Sequence, residues 1–540
     1  MQLPHVTKAC FLVLASLICA LPTAWGAALE PSGENRQDRP ASARATVGKH
    51  AVLVVWDGMR PDFVNEQNTP TLWKLAQSGV TFRNHHSVYL SATNVNGTAL
   101  ATGDYPGHSG LIANREFRPK IDNRKPIDVD DPATIRKGDD ISNAKYLAVP
   151  ALSAILEANG RKTVVAAAKR VGLLHDRHRE SGQSRDITVS EGNSIPPDAV
   201  TTIAKALGQF PPLEKNEFAR SDEWTTKALT DFLWKDGVPD FSVLWLCEPD
   251  ATEHKTAPGA PAALAAIKSS DANLGLVLDS LDRYHVLTTT DVFVVSDHGF
   301  STIERSIDLR KILKAAGFDV VTEFANEPKS GQIMMIGNGG SVSFYVIGHD
   351  ADTIGRLVEF LQQSDFAGVI FTKPKLEGTF SLEQAKIDSA DAPDIEMSFR
   401  WNEKKNQFGA PGMIDADWQR AAGKGTHATL GRFDMHNMLI ASGPDFQKGL
   451  TSDLASGNVD LAPTILHVLR IKDAPQMDGR VLLEAMPEYE QDIMSGSKTI
   501  ESSRQFSLGR WRQSLKVSQV RSTAYFDEGN GAFLPNETKN

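Results

Sequence analysis

Three apolar runs in this chain end in the same way, each delivering an aspartate: Val54-Val55-Trp56-Asp57-Gly58, Leu244-Trp245-Leu246-Cys247-Glu248-Pro249-Asp250 and Val294-Val295-Ser296-Asp297-His298-Gly299. The runs are continuously apolar instead of alternating, which suits strands buried on both faces. Further runs of this kind at 163–168 and 438–442 are interleaved with helical patterns at 69–79 and 151–159, and strands alternating with helices build a mostly parallel sheet. The expected fold class is therefore α/β. In an open parallel sheet the ligand crevice lies beyond the carboxyl ends of the strands, so the three aspartates would converge there. Unpaired carboxylates repel one another, and a convergent set usually surrounds cations.

Histidines sharpen that reading. His254 follows Asp250 by four residues, so one helical turn would place both on one face. His298 directly follows Asp297, and His427 sits in the glycine-bounded loop from Gly423 to Gly431, just before the apolar run at Met438. Mixed aspartate and imidazole donors suit zinc, with open positions left for substrate and water, whereas magnesium would want more oxygen. The segment from Ser91 to Gly103 places a hydroxyl, Thr93, at the start of a short helix. Free backbone N–H groups and the positive dipole end there suit a phosphoryl group. Capping the helix and attacking phosphorus are both open to Thr93 on this segment alone.

Composition bounds the rest. With 540 residues, 41% of them hydrophobic and 23% charged, the chain can bury a large core. A formal charge of -10 with no long basic run argues against a nucleic-acid surface. The first 28 residues carry Lys8, an apolar stretch from Cys10 to Leu21, then Pro22 and the small residues around Ala27. The stretch is shorter than the roughly 20 residues a membrane helix needs and reads as a cleaved secretory signal. Its removal takes Cys10 and Cys19 and leaves Cys247 alone, which suits a bacterial periplasmic or secreted protein with no membrane span.

The expected organisation is a signal at 1–28, a flexible Ser/Pro/Arg-rich linker at 29–48, and a catalytic α/β domain in two parts, 49–300 and 416–490. Between them an inserted α+β cap at 301–415 is expected, with strands at 342–347 and 367–371 around a helix at 354–363. An extension at 491–540 alternates polar and apolar residues between Trp511 and Phe526, as antiparallel strands do.

These residues resemble the alkaline phosphatase superfamily, in the branch of type I phosphodiesterases and nucleotide pyrophosphatases. The likeness spans 51–111, 241–300 and 425–483, including Val459 to Leu466 followed by Met477-Asp478-Gly479-Arg480. It implies an alkaline-phosphatase-like central sheet flanked by helices. It also implies one zinc on Asp250, His254 and His427 and another on Asp57, Asp297, His298 and the Thr93 oxygen, either position open to another divalent metal. Asn114 is implied to donate to a phosphate oxygen. Where the family has Pro-Asn-His after the nucleophile, this chain has Val95-Asn96-Gly97; where it has Gly-Tyr-Asp after the last histidine, it has Ala428-Thr429-Leu430. Asn96 is counted with Lys169 and Arg170 among the substrate-binding candidates.

The resemblance implies an exported hydrolase of small phosphate esters working through a phosphothreonine. No arginine follows Thr93, which favours a diester over a monoester, since the latter carries one more negative charge. Against this, Val164 to Arg170 resembles the strand-end lysine segment of threonine-type bacterial alkaline phosphatases and phosphonoacetate hydrolase, where a second basic residue stands at the position of Val171 here. A phosphomonoesterase or phosphonate hydrolase is the first alternative, and a catalytically silent metal-binding protein of the same fold the second. A sulfatase would need an arginine where Cys247-Glu248-Pro249-Asp250 is followed by Ala251.

Overall fold

The structure, a computed structural model, describes residues 50–176, 186–487, 489 and 492–536. The expected signal and linker lie outside the described residues. The first strand, His50–Trp56, shows why the apolar runs are continuous. Leu53 and Val55 pack into one core cluster while Val52, Val54 and Trp56 pack into another. With side chains alternating across a strand, both faces are covered.

His50–Trp56 is the centre of a nine-stranded sheet. Phe241–Leu246 pairs parallel on one side of it and Thr290–Val295 parallel on the other. Thr163–Ala167 and Ile187–Ser190 continue the parallel set beyond Phe241–Leu246, and Asn193–Ile195 closes that edge antiparallel. On the other flank Leu439–Ser442 runs antiparallel to Thr290–Val295, followed by Val80–Phe82 and Leu450–Ser452. The sheet is therefore mostly parallel, as its apolar runs imply. Helices cover both faces: Val95, Ala99 and Leu100 of Thr93–Thr102 join one cluster, and Ile267, Leu274 and Val277 of Pro261–Arg283 join the other.

Between the Asp297 strand and the last core strand the chain builds two further sheets. One has six strands, with Ile333–Gly337, Ser341–Val346, Ile395–Phe399 and Ala367–Thr372 at its centre and the helix Ala351–Gln362 packed into the same core. The other orders Trp401–Lys405, Pro411–Asp417, Ser301–Ile307 and Gly425–Thr426, the last strand leading straight into His427. The C-terminal residues form a three-stranded antiparallel meander, Ser495–Phe506, Gly509–Val520 and Thr523–Pro535. It docks on the six-stranded sheet through Gln513, whose amide accepts from Ile370 N at 2.8 Å and donates to Ile370 O at 3.1 Å, in the way a neighbouring strand would.

Candidate active site

The three aspartates meet where their strands end. Asp250 N donates to Asp57 O at 3.0 Å, and Gly58 N donates to Asp297 Oδ1 at 3.0 Å, so the three turns are stitched together by backbone groups. Gly58 adopts φ +74°, and a Cβ there would stand 2.9 Å from Asp250 Cβ, so only glycine lets the turns approach this closely. Asp250 opens the short helix Asp250–Lys255, which carries His254 back over it, with Nε2 3.2 Å from Asp250 Oδ1. His427 Nε2 lies 3.6 Å from the same oxygen, and His298 Nε2 lies 3.2 Å from Asp297 Oδ2 and 3.7 Å from Asp57 Oδ1.

Each imidazole is oriented by its other nitrogen. His254 Nδ1 donates to Gly425 O at 3.1 Å, His298 Nδ1 to Gly299 O at 2.9 Å and His427 Nδ1 to Ser91 O at 2.8 Å. A carbonyl accepts only, so Nδ1 holds the proton in all three rings and every Nε2 lone pair faces the crevice, as metal-binding histidines require. His298 and His427 stack with centroids 3.7 Å apart, and burial together with His298 pushes His427 well below its usual pKa.

The residues fit bound cations. Asp57 Oδ1, Asp250 Oδ1 and Asp297 Oδ2 are buried without a hydrogen-bond partner among the described residues. Burial, reinforced by Asp297, pushes Asp57 well above its ordinary carboxylate pKa, and burial raises Asp297 likewise. Ligand atoms of Asp57, Asp297 and His298 all lie within 4.8 Å of one another, as do those of Asp250, His298 and His427. His298 belongs to both clusters, so the two positions are contiguous.

Thr93 opens the helix Thr93–Thr102, and Ala92 before it offers no side-chain cap. Because His298 Nε2 is an acceptor, the Thr93 hydroxyl donates to it across 3.3 Å. The helix start is thus tied to the crevice. Asn114 Oδ1 accepts from Asn94 N at 2.8 Å, which leaves the Asn114 amide N–H groups facing the cavity beside Thr93. That cavity, of about 330 Å³, is lined at its base by Thr93, Lys169, Asp250, His254 and His427, and around its rim by Arg115, Asp128, Asp130, Arg170, Asn338, Gln419 and Arg420.

Lys169 reaches the floor. Its Nζ donates to Asp250 Oδ2 at 2.6 Å and lies 2.9 Å from Asp57 Oδ2. Burial alone would lower its pKa, but Asp250 and Asp57 together hold it well above the ordinary lysine value. Arg170 stays at the rim, paired with Asp130 at 3.6 Å, Asp131 at 3.9 Å and Glu191 at 3.5 Å. Val171 packs instead against the helix Thr93–Thr102, where a Cβ on Gly97 would meet it at 2.4 Å. The departure at Gly97 and the apolar Val171 are therefore one packing solution.

Asn96, a substrate-binding candidate in the sequence, does not line the cavity beside Thr93. It is fully buried, its amide nitrogen lies 3.2 Å from each of Val88 O, Leu90 O and Ala92 O and shares its two N–H groups among them, and its oxygen accepts from Val88 N at 2.7 Å. It holds the loop before Thr93, because a buried amide must spend its donors on backbone. Two further residues carry the site without having announced themselves. Asn458 donates to Asn96 Oδ1 at 2.9 Å and to Asp297 O at 2.6 Å, joining the loop before Thr93 to the crevice. Trp245 Nε1 donates to Asp57 Oδ2 at 2.9 Å. Cys247 is fully buried behind the turn, its thiol against Phe218 O.

The family described as type I phosphodiesterase / nucleotide pyrophosphatase matches residues 51–381. Ectonucleotide pyrophosphatase/phosphodiesterase family member 7 of Rattus norvegicus is 23% identical over 269 residues, covering 49% of this chain and 54% of that protein. The match thus spans about half the length of that relative. Family member 5 of Homo sapiens is 21% identical over 438 residues, covering 78% of this chain and 75% of the relative. The venom phosphodiesterase of Naja atra is 22% identical over 438 residues, covering 78% and 44%. Among solved structures, murine ectonucleotide pyrophosphatase/phosphodiesterase 5, as an inactive variant in complex with AMP, superposes with a TM-score of 0.57 at 16% identity over 81% of this chain and all of that one. This likeness shows the fold.

Proposed function

Because the chain belongs to the type I phosphodiesterase / nucleotide pyrophosphatase family, we propose that it is an exported two-zinc hydrolase of small phosphate diesters with Thr93 as its nucleophile. One observation carries the reading: the Thr93 hydroxyl stands at a helix start 3.3 Å from a crevice imidazole, in a site whose buried carboxylate oxygens include three with no hydrogen-bond partner among the described residues.

Asp250, His254 and His427 would hold one cation, and Asp57, Asp297 and His298 the other. Two bound divalent ions would favour the ionised Thr93 hydroxyl and offset negative charge on the phosphoryl and leaving oxygens. Thr93 Oγ1, its proton passed to solvent, attacks phosphorus in line, the oxygen–phosphorus bond to the leaving alcohol breaks with that oxygen taking up a proton, and the phosphoryl group with its remaining ester stays on Thr93 until water cleaves it off. Asn114, its carbonyl fixed by Asn94, donates from its amide to a non-bridging oxygen. The helix start contributes its dipole to the same group. Export rests on the apolar stretch and small residues of 1–28, and no helix among the described residues is long and apolar enough to cross a membrane.

A monoesterase is the second reading, favoured by Lys169, whose ammonium lies on the floor within reach of both ligand sets. The test uses the purified chain: zinc content, then turnover of bis-p-nitrophenyl phosphate against p-nitrophenyl phosphate, with Thr93→Ala beside the wild type. The diester is expected to be the better substrate, and Thr93→Ala to lower its turnover by about 10³-fold or more. A clear preference for the monoester would transfer the assignment to the second reading.

A further inference from the structure

We infer that His86, His436 and Asp527 form a separate binding site for a late first-row divalent cation such as zinc, which fastens the C-terminal meander to the catalytic core. Asp527 belongs to the strand Thr523–Pro535, His86 follows directly on His85 in a two-residue strand, and His436 ends the helix Arg432–Met435. Ligand atoms of the three all lie within 4.8 Å of one another. None of them belongs to the crevice.

Four features point to a cation. His86 and His436 are directly opposed in an antiparallel bridge, which sets both side chains on the same face, and their ring centroids are 4.4 Å apart. Asp527 falls at the one irregularity between the last two strands, where Lys516 pairs with Glu528 and Val517 with Phe526. Such a bulge leaves its extra residue out of the ladder and re-aims the side chain. The carboxylate is then held by Ser518 Oγ, 2.9 Å from each of its oxygens.

The hydrogen-bond roles supply the third feature. His86 Nδ1 faces Ser456 O at 2.9 Å and must donate to it. A neutral ring then has only a lone pair on Nε2, yet that nitrogen faces Asp527 Oδ1 at 3.1 Å, another acceptor. Something positive has to stand between them, either a proton shared by the two side chains or a metal ion. The fourth feature is His436, a second imidazole with a ligand atom within 4.8 Å of those of His86 and Asp527. A tetrahedral zinc with bonds near 2.0–2.2 Å spaces its donors roughly 3.3 Å apart, close to the His86–Asp527 separation. Two imidazoles and a carboxylate, each of His86 and Asp527 oriented by an outer partner, match the donor chemistry of such ions.

The test is a metal count on the full chain. Wild type and the variants His436→Gln and Asp527→Asn are stripped with a chelator, equilibrated with excess zinc, freed of loose ion and assayed for zinc per chain. Each variant should hold one zinc fewer than wild type while keeping its turnover of bis-p-nitrophenyl phosphate. Equal zinc in all three proteins overturns the inference and leaves an imidazolium–carboxylate pair in its place. Cobalt titration of wild type alone covers the case of a variant that fails to fold: a class of bound cobalt beyond that taken up by the crevice is expected, and its absence refutes the site. The count is a difference between proteins, so it stands whether or not the crevice proves catalytic.

Discussion

The floor and the rim of the cavity are built on different principles. Behind the floor, Asp57, Asp297 and His298 are fully buried, Gly58 N donates to Asp297 Oδ1, and His298 Nδ1 donates to Gly299 O. At the rim, Arg170 is 39% exposed and shared among three acids at 3.5–3.9 Å, and Arg115 is paired with Asp128 at 3.2 Å between half-exposed side chains. Exposed pairs of this kind are worth about 0–1 kcal/mol and rearrange readily. The floor is therefore suited to one chemistry, and the rim to choosing what reaches it.

The largest effect that separates the two is metal removal. Stripping the purified chain with a chelator should abolish turnover of bis-p-nitrophenyl phosphate, and zinc should restore it; full activity in the stripped chain would detach the floor from catalysis. Next comes Asn114→Ala, which deletes a donor aimed at the phosphoryl group. It should lower kcat by about 10²- to 10³-fold with little change in KM, as loss of one preorganised donor does elsewhere.

The third prediction concerns the scaffold that carries Gly337 and Asn338 to the rim. Glu396 lies on the strand Ile395–Phe399 of that six-stranded sheet, fully buried and paired across the ladder with Ser343. Burial pushes its carboxyl up to about 8. The folded chain thus binds this proton more tightly than the unfolded chain, whose value is near 4.5. The contribution is complete below about pH 4.5 and is lost as pH rises through about 8, on the order of 1.4 kcal/mol per pH unit between them. Denaturant unfolding across that window should show Glu396→Gln flattening the decline; parallel curves for the two proteins would contradict it. The smallest effect belongs to the rim itself: Arg170→Ala should change KM by less than about 10-fold and leave kcat unaltered.

The same division governs what the sequence discloses. Asp57, Asp250 and Asp297 stand out because a strand buried on both faces must be an unbroken apolar run, so the polar residue that ends it is conspicuous. His254 follows from the helical repeat. Asn96 misleads, because an asparagine beside a nucleophile looks the same whether it faces substrate or backbone, and only its burial decides. Asn458 and Trp245 orient the floor from positions that no spacing marks, although Asn458 directly precedes the Val459–Leu466 segment that the family resemblance includes. The rim is assembled from loops around Arg115, Arg170, Asn338 and Gln419, far apart in the chain and without periodicity. The alternation at the C-terminus is legible, with Trp511, Gln513 and Leu515 buried between more exposed neighbours. The bulge that turns Asp527 toward His86 is not, since it depends on pairing between strands.

The account stands on Thr93 forming a bond to phosphorus at this floor. Wild-type chain mixed with bis-p-nitrophenyl phosphate, quenched in acid within the first turnovers and mapped by peptide mass, should carry the phosphoryl adduct on Thr93. Turnover proceeding with that peptide unmodified, together with undiminished turnover by Thr93→Ala, would contradict it.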